Sequence, residues 1–236
     1  MKLLNDLINI IYPSLCINCL KVVDGKNNVL CIDCFTDIDF ISDPKCIKCS
    51  YPFEIKLDSD SFCGSCLIAT PLYKAAYNLL YYNDQTSKLI HRFKYYNQSF
   101  ILEELVRLLL KQINKDDIDI IIPVPIHLLK LIIRTYNQTQ IIAEIIGKKI
   151  SKQVYGNILI KTKYTKPQAK ITRKQRLVNV KNSFSIKNAA LIIGKNILLV
   201  DDVMTTGSTI NECVRLLLAS GAKDVFVATI ARTVIK

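Results

Sequence analysis

The 236-residue chain has no apolar run approaching the ~18 residues needed to cross a bilayer, because Pro123, Pro125, His127, Lys130 and Arg134 interrupt its oiliest region. A helical membrane span is thereby excluded. The opening MKLLNDLINIIYP carries Asn5, Asp6 and Asn9 where a signal peptide keeps an unbroken apolar segment, and no small-residue cleavage site follows. That stretch is expected to be a short amphipathic helix in a cytoplasmic protein. Also missing is any acidic side chain between Glu144 and Asp201, an interval holding thirteen lysines and arginines, among them Lys161, Lys163, Lys166, Lys170, Arg173, Lys174 and Arg176. The net charge of +12 is therefore uneven. Residues 1–72 hold six lysines and nine acids, whereas residues 73–236 hold 26 basic and 11 acidic side chains. A polyanion, either a pyrophosphate or a nucleic-acid backbone, is the partner class this implies. The other reading is a solvated lysine-rich face in a sequence rich in Ile, Asn and Lys throughout. No DNA-reading helix-turn-helix is evident.

What is abundant is cysteine, in one arrangement. Eight of the nine form Cys16-x-x-Cys19, Cys31-x-x-Cys34, Cys46-x-x-Cys49 and Cys63-x-x-Cys66. Two residues between thiolates let a tight turn aim both sulfurs at one ion, and two such turns close a tetrahedral zinc site. Sequential pairing predicts two structural zinc ribbons, Cys16 to Cys34 and Cys46 to Cys66, with crossed pairing as the alternative. Disulfides would need an oxidising compartment that no export signal points to; Fe–S ligation and redox pairs also match the spacing. So small a segment with so little apolar content cannot build a sufficient core, so metal is expected to fold it. Cys213, the ninth, reads as an inert core thiol.

The most informative stretch is Ile197 to Thr209, ILLVDDVMTTGST. Ile197 to Val200 read as a strand buried on both faces, ending at Asp201 and Asp202. Ligands of open α/β sheets collect outside the carboxyl ends of strands, so two acids there suit a polyhydroxyl or metal-bearing ligand. Thr205, Thr206, Gly207, Ser208 and Thr209 then expose backbone amides in a small-residue loop. Ile210, Cys213, Val214 and Leu217 share one helical face, predicting a helix whose N-terminus points at an anion. Hydroxyls on the acids and phosphate on the amides describe a sugar phosphate. The alternative is an ordinary hydroxyl-capped helix after an acidic turn.

Elsewhere the pattern alternates between strand and helix. Tyr73 to Tyr82 reads as extended, with Asp84 capping a helix from Gln85 to Tyr96, in which His91, Arg92 and Lys94 interleave with Phe93, Tyr95 and Tyr96. Aromatics mixed with cations can stack bases while binding phosphate, although Leu89, Ile90, Phe93 and Tyr96 also suit a core face. A helix from Phe100 to Ile113, a strand at 119–122 stopped by two prolines, a helix carrying Arg134, Asn137 and Gln138, a strand from Val154 to Ile160, and elements at 197–201, 208–219 and 225–230 follow, with Gly221 ending the last helix. This predicts an α/β fold, a parallel sheet with flanking helices. His127 and Arg134 are candidate contacts for pyrophosphate or DNA, with Lys170, Arg173, Lys174 and Arg176 in the basic loop.

The stretch around Asp201 resembles the phosphoribosyl pyrophosphate signature of type I phosphoribosyltransferases. More broadly, the cysteine pairs, LIHRFKYY, IIPVPIH, RTYNQ, TKPQ, ITRKQRLVNV, LLVDDVMTTGST and the terminal ART resemble the ComF family of competence-associated proteins. Two departures stand out: Lys130 replaces an arginine usual in the family, keeping charge but losing a bidentate fork, and Thr135 replaces a glycine. The resemblance implies a double zinc ribbon over 1–70 and a type I phosphoribosyltransferase-like domain over 71–236, with Asp201 and Asp202 on the ribose and Thr205 to Thr209 on the 5′-phosphate. It further implies two structural Zn2+ ions, Mg2+ accompanying phosphoribosyl pyrophosphate, and a role with single-stranded DNA and DNA-uptake proteins in natural transformation. The alternative is an active phosphoribosyltransferase of nucleotide metabolism with an unspecified acceptor.

Overall fold

Continuous apolar runs at 120–122, 197–200 and 225–228, each buried on both faces, build the centre of the molecule. In a computed structural model that describes residues 15–16, 19–23, 31–55, 61–93, 99–126, 137–162 and 182–234 (the backbone alone at 91–93 and 99–101), five strands form one parallel sheet. Numbered in chain order they are β1 (Ala76–Tyr81), β2 (Ile120–Pro123), β3 (Gln153–Val154), β6 (Asn196–Met204) and β7 (Asp224–Arg232), arranged β1-β7-β6-β2-β3. A second, antiparallel pair joins β4 (Leu159–Lys161) to β5 (Phe184–Ile186). The helices are α1 (Ile32–Thr36), α2 (Gly64–Ile68), α3 (Asp84–Phe93), α4 (Ser99–Leu110), α5 (Gln138–Ile150) and α6 (Ser208–Ala219).

The pleat divides the core in two. Ile121, Leu198, Val200, Phe226 and Ala228 face α3, α4 and α5, packing on Leu89, Val106, Leu109, Ile142 and Ile146. Their sequence neighbours Ile120, Ile122, Ile197, Leu199, Val225 and Val227 face the other way, onto Ile210, Cys213, Val214 and Leu217 of α6. Ile197, Leu198, Leu199 and Val200 are all fully buried, as a parallel strand covered on both faces requires. Truncating any of them to alanine removes about 2–5 kcal/mol. Cys213 is likewise buried among apolar neighbours, as its place on the helix face predicts.

Topology places the site. The chain leaves β2 through α5 to reach β3 on one side, and leaves β6 through α6 to reach β7 on the other, with α5 and α6 on opposite faces. The carboxyl ends of β2 and β6 therefore flank the point where strand order reverses, which is where ligands bind in open α/β sheets.

Several boundaries differ from expectation. β6 does not end at Asp201 but runs to Met204, because Asp201, Val203 and Met204 pair with Thr229, Ala231 and Arg232 of β7. Val154 to Ile160 is not one strand: β3 pairs with β2 and β4 with β5, in different sheets. Asn83 rather than Asp84 caps α3, its Oδ1 accepting from the amide of Thr86 at 2.9 Å. α6 spans the expected residues, and Gly221, at φ 99°, follows its end in the left-handed region. The opening helix expected over the first residues lies outside those described. Among the described residues no helix is long and apolar enough to cross a membrane.

Candidate functional site

β6 outruns its neighbour. β2 pairs with β6 only as far as Pro123 opposite Val200, and the Val124 amide then donates to the Val200 carbonyl at 2.8 Å. Beyond that point come the two acids. The Asp202 amide donates to Asp201 Oδ1 at 2.9 Å and the Val203 amide to Asp202 Oδ1 at 2.8 Å. Strand alternation puts Asp201 on the face of Ile197 and Leu199, near Cys213 and Lys161, and Asp202 on the opposite face. Burial, and then the charge of Asp202, push the Asp201 carboxyl well above the usual carboxylate range. It is an acid short of positive charge.

The loop follows directly. Gly207 takes φ 73°, a left-handed conformation that favours glycine, and forms the N-cap of α6. Having no side chain, it offers the helix no cap bond of its own, and the Ser208 amide donates instead to Thr206 Oγ1 at 3.4 Å. Thr206 Oγ1 and Ser208 Oγ lie 2.7 Å apart and tie the turn; Thr205 is exposed and Ser208 buried. Thr205 to Thr209 thus present small hydroxyls and the positive end of a twelve-residue helix at the carboxyl edge of the sheet.

The loop forms one wall of a cleft of about 510 Å³. Thr205 to Ser208 and Asn211 face Arg232 and Thr233 from the end of β7, and Cys49, Tyr51, Cys63 to Cys66 and Tyr73 from the cysteine-rich segment. Arg232 bridges the walls: its Nη1 donates to the Cys49 carbonyl and lies 3.3 Å from Met204 Sδ, while the guanidinium sits 5.4 Å from the Tyr51 ring centre. The same Cys49 carbonyl accepts from Asn78 Nδ2 at 2.9 Å, and Asn78 Oδ1 accepts from the Thr229 hydroxyl at 2.6 Å. Ala76 donates its amide to Lys48 O at 2.9 Å and accepts from the Ser50 hydroxyl. Buried polar bonds thus hold this knuckle to β1 and β7.

The eight cysteines pair sequentially. Cys16, Cys19, Cys31 and Cys34 form one group and Cys46, Cys49, Cys63 and Cys66 another, each with its sulfurs within 4.8 Å of one another. The Cys19–Cys31 and Cys49–Cys63 sulfurs are 3.5 Å apart, far beyond a disulfide. Tetrahedral zinc with ~2.3 Å bonds sets its sulfurs roughly 3.8 Å apart, which this spacing fits. All four knuckles repeat one turn: the amides of Leu20, Phe35, Ser50 and Leu67 donate to the carbonyls of Cys16, Cys31, Cys46 and Cys63 at 2.8 to 3.0 Å. Without a cation Cys49 and Cys66 resist ionisation. Burial pushes the Cys66 thiol up to about 12, and the hydrogen bond it gives to Cys46 raises Cys49; only Cys46, receiving that bond, is pulled down, to about 4. Four buried thiolates need a dication.

Of the residues singled out in the sequence, Asp201, Asp202, Thr205 to Thr209 and the eight cysteines lie in the described structure, and the loop shares its cleft with the second cysteine group. His127, Arg134, Lys170, Arg173, Lys174 and Arg176 lie outside the described residues, as do the side chains of His91, Arg92 and Phe93. Arg232, Tyr51 and Tyr73 escaped sequence reasoning as site residues. The only signal for Arg232 was its place in the terminal ART motif.

Comparison with known proteins agrees with this architecture. Residues 7–67 match the model of the double zinc ribbon domain and residues 136–234 that of the phosphoribosyl transferase domain. Competence protein F of Haemophilus influenzae is 34% identical over 183 residues, covering 72% of this chain and 78% of that protein. DNA utilization protein YhgH of Escherichia coli (strain K12) is 30% identical over 178 residues, again 72% and 78%. Competence protein ComFC of Streptococcus pneumoniae is 28% identical, covering 64% of this chain and 65% of that protein. A double zinc ribbon leading into a phosphoribosyltransferase-type parallel sheet, with a third of the residues shared over most of both chains, makes this chain a member of the ComF family.

Proposed function

We propose that the carboxyl edge of β6, where Asp201 and Asp202 lie outside the cleft lining and the Thr205 to Ser208 loop lies within it, binds a ribose phosphate, phosphoribosyl pyrophosphate above all, in a cytoplasmic protein that serves the uptake or use of single-stranded DNA in natural transformation. The observation that carries the ligand is the pairing of Asp201 and Asp202 with a glycine-capped helix N-terminus at the switch point of the sheet. In this reading the amides and hydroxyls of Thr205 to Thr209 take the 5′-phosphate, and the acids take the ribose hydroxyls.

The acids also suit magnesium. Among the described residues no third acid or histidine joins them in a metal-sized cluster, and Mg2+ is commonly held by one or two carboxylates together with the ligand's own phosphate oxygens. When bound, magnesium neutralises pyrophosphate charge. The DNA role is supported by the names of the relatives, competence and DNA utilization proteins, and by the acid-free stretch from 145 to 200. DNA-uptake proteins are the macromolecular partners this role calls for.

Calorimetry with phosphoribosyl pyrophosphate and magnesium tests the ligand. Asp201→Asn with Asp202→Asn should abolish the binding seen in the wild type, and undiminished binding refutes the assignment. Incubation with a panel of bases shows whether transfer follows. A shift assay with single-stranded oligonucleotide should weaken steeply with salt, and further when Lys170, Arg173, Lys174 and Arg176 become glutamine. Failure of the wild type to bind at low salt removes the DNA role.

A further inference from the structure

We propose that Arg232 is a ligand-binding residue of the cleft, and that the second four-cysteine site belongs to the ligand site because its knuckle aims this guanidinium at the phosphate loop. The inference rests on the ribose-phosphate reading and extends it from β6 to the opposite wall.

Three observations carry it. First, Arg232 pairs in register with Met204, so it stands level with the residue from which the loop departs; the Thr233 amide also donates to Met204 O at 2.9 Å. Its guanidinium lines the same cleft as Thr205 to Ser208. Second, no carboxylate pairs with it: the ion pairs among the described residues involve Lys21, Lys45, Lys74, Arg107 and Arg215, and its anionic neighbour is Cys49 of the second cysteine group. Its Nε is buried without a hydrogen-bond partner among the described residues. Leaving a donor of a charged group without an acceptor is costly, and a phosphate meeting the guanidinium from the cleft adds charge-assisted hydrogen bonds beyond the one to Cys49. Third, it is held. The Cys49 carbonyl, Met204 Sδ and the Tyr51 ring fix one edge and one face of the guanidinium, and Cys49 is itself a ligand of the second metal group. A planar fork positioned in advance loses little freedom on meeting a phosphate. Loop amides on one side and a guanidinium on the other make a two-sided clamp for a phosphate or pyrophosphate, and no cysteine of the first group is among the described residues lining the cleft.

Calorimetric titration of the full zinc-loaded chain with ribose 5-phosphate, and with phosphoribosyl pyrophosphate plus magnesium, tests this. Arg232→Gln keeps a donor for the Cys49 carbonyl while losing the charge, and should weaken binding roughly 10- to 100-fold, the range expected for losing a charged hydrogen bond. Arg232→Lys keeps the charge without the fork and should fall between it and the wild type. Native mass spectrometry should count two zinc ions in both variants, separating a lost ligand contact from a lost fold. Cys19→Ser, which disrupts only the first group, should bind like the wild type. Wild-type affinity in both Arg232 variants overturns the role of Arg232, and weakened binding in Cys19→Ser overturns the assignment to the second group alone. A wild-type chain that binds neither compound refutes the ribose-phosphate reading itself, and the clamp falls with it.

Discussion

The two four-cysteine groups are near copies in local geometry and opposites in setting. Leu15 and Val22 bridge around the first knuckle as Lys45 and Pro52 do around the second, and Leu20 and Ser50 both take positive φ at the equivalent position. Cys31 and Cys63 each precede a five-residue helix. Yet among the described residues the first group clusters with Val23, with Cys19 exposed and Ile32 81% exposed, whereas all four cysteines of the second are buried in the core shared with β2, β6, β7 and α6. The metal turn is set by spacing alone. Its burial is set by what the following hundred and eighty residues bring up against it, chiefly Asn78 and Arg232.

The sharpest way to break this contrast is to remove one ligand from each group. A structural zinc contributes about 10–16 kcal/mol in zinc-finger peptides, against about 5–15 kcal/mol for the whole stability of a domain. Cys49→Ser should therefore abolish the main thermal transition. Cys19→Ser should lose one zinc by mass spectrometry and leave that transition in place, and equal damage from both variants would erase the distinction. A smaller effect probes the attachment. Asn78→Ala strips partners from the Cys49 carbonyl and the Thr229 hydroxyl, and should cost about 1–3 kcal/mol in denaturant titration with two zinc ions retained. No loss of stability would mean that the knuckle is held by apolar packing alone.

The smallest effect concerns pH. Because the folded chain raises the Asp201 carboxyl above its unfolded value, the folded state binds the proton more tightly. Its contribution is full below the ordinary carboxylate range and is lost as pH rises from there through the raised value. Melting curves across that window should fall with pH in the wild type and be flatter in Asp201→Asn. The same difference should persist in a Cys19→Ser background, since distant sites add; disappearance there would link the first group to the body after all.

Local patterns were legible in the sequence, and long-range pairing was not. The sequential cysteine groups, the buried run Ile197 to Val200 and the helix from Ser208 to Ala219 each lie within a span of some twenty residues, and each stands as read. The extension of β6 to Met204 depends on β7, 28 residues later in register. Arg232 became a site residue only through Cys49, 183 positions away, and the burial of the second group only through contacts with strands whose partners no periodicity reveals. Val154 to Ile160 misled because one apolar run supplies two short strands to two different sheets.

Strand order carries a consequence for how the molecule is assembled. β7 lies between β1 and β6, so β1, bridged on its other side by Phe40, is not joined to the rest of the parallel sheet until residues 224–232 are in place. Synthesis reaches those residues after every other described strand. A chain interrupted before Asp224 would carry β1 with a bare edge, a cleft without Arg232, and a metal knuckle docked on β1 alone. The ligand wall and the closing strand are one element, so a nascent chain acquires its cleft and its completed sheet together.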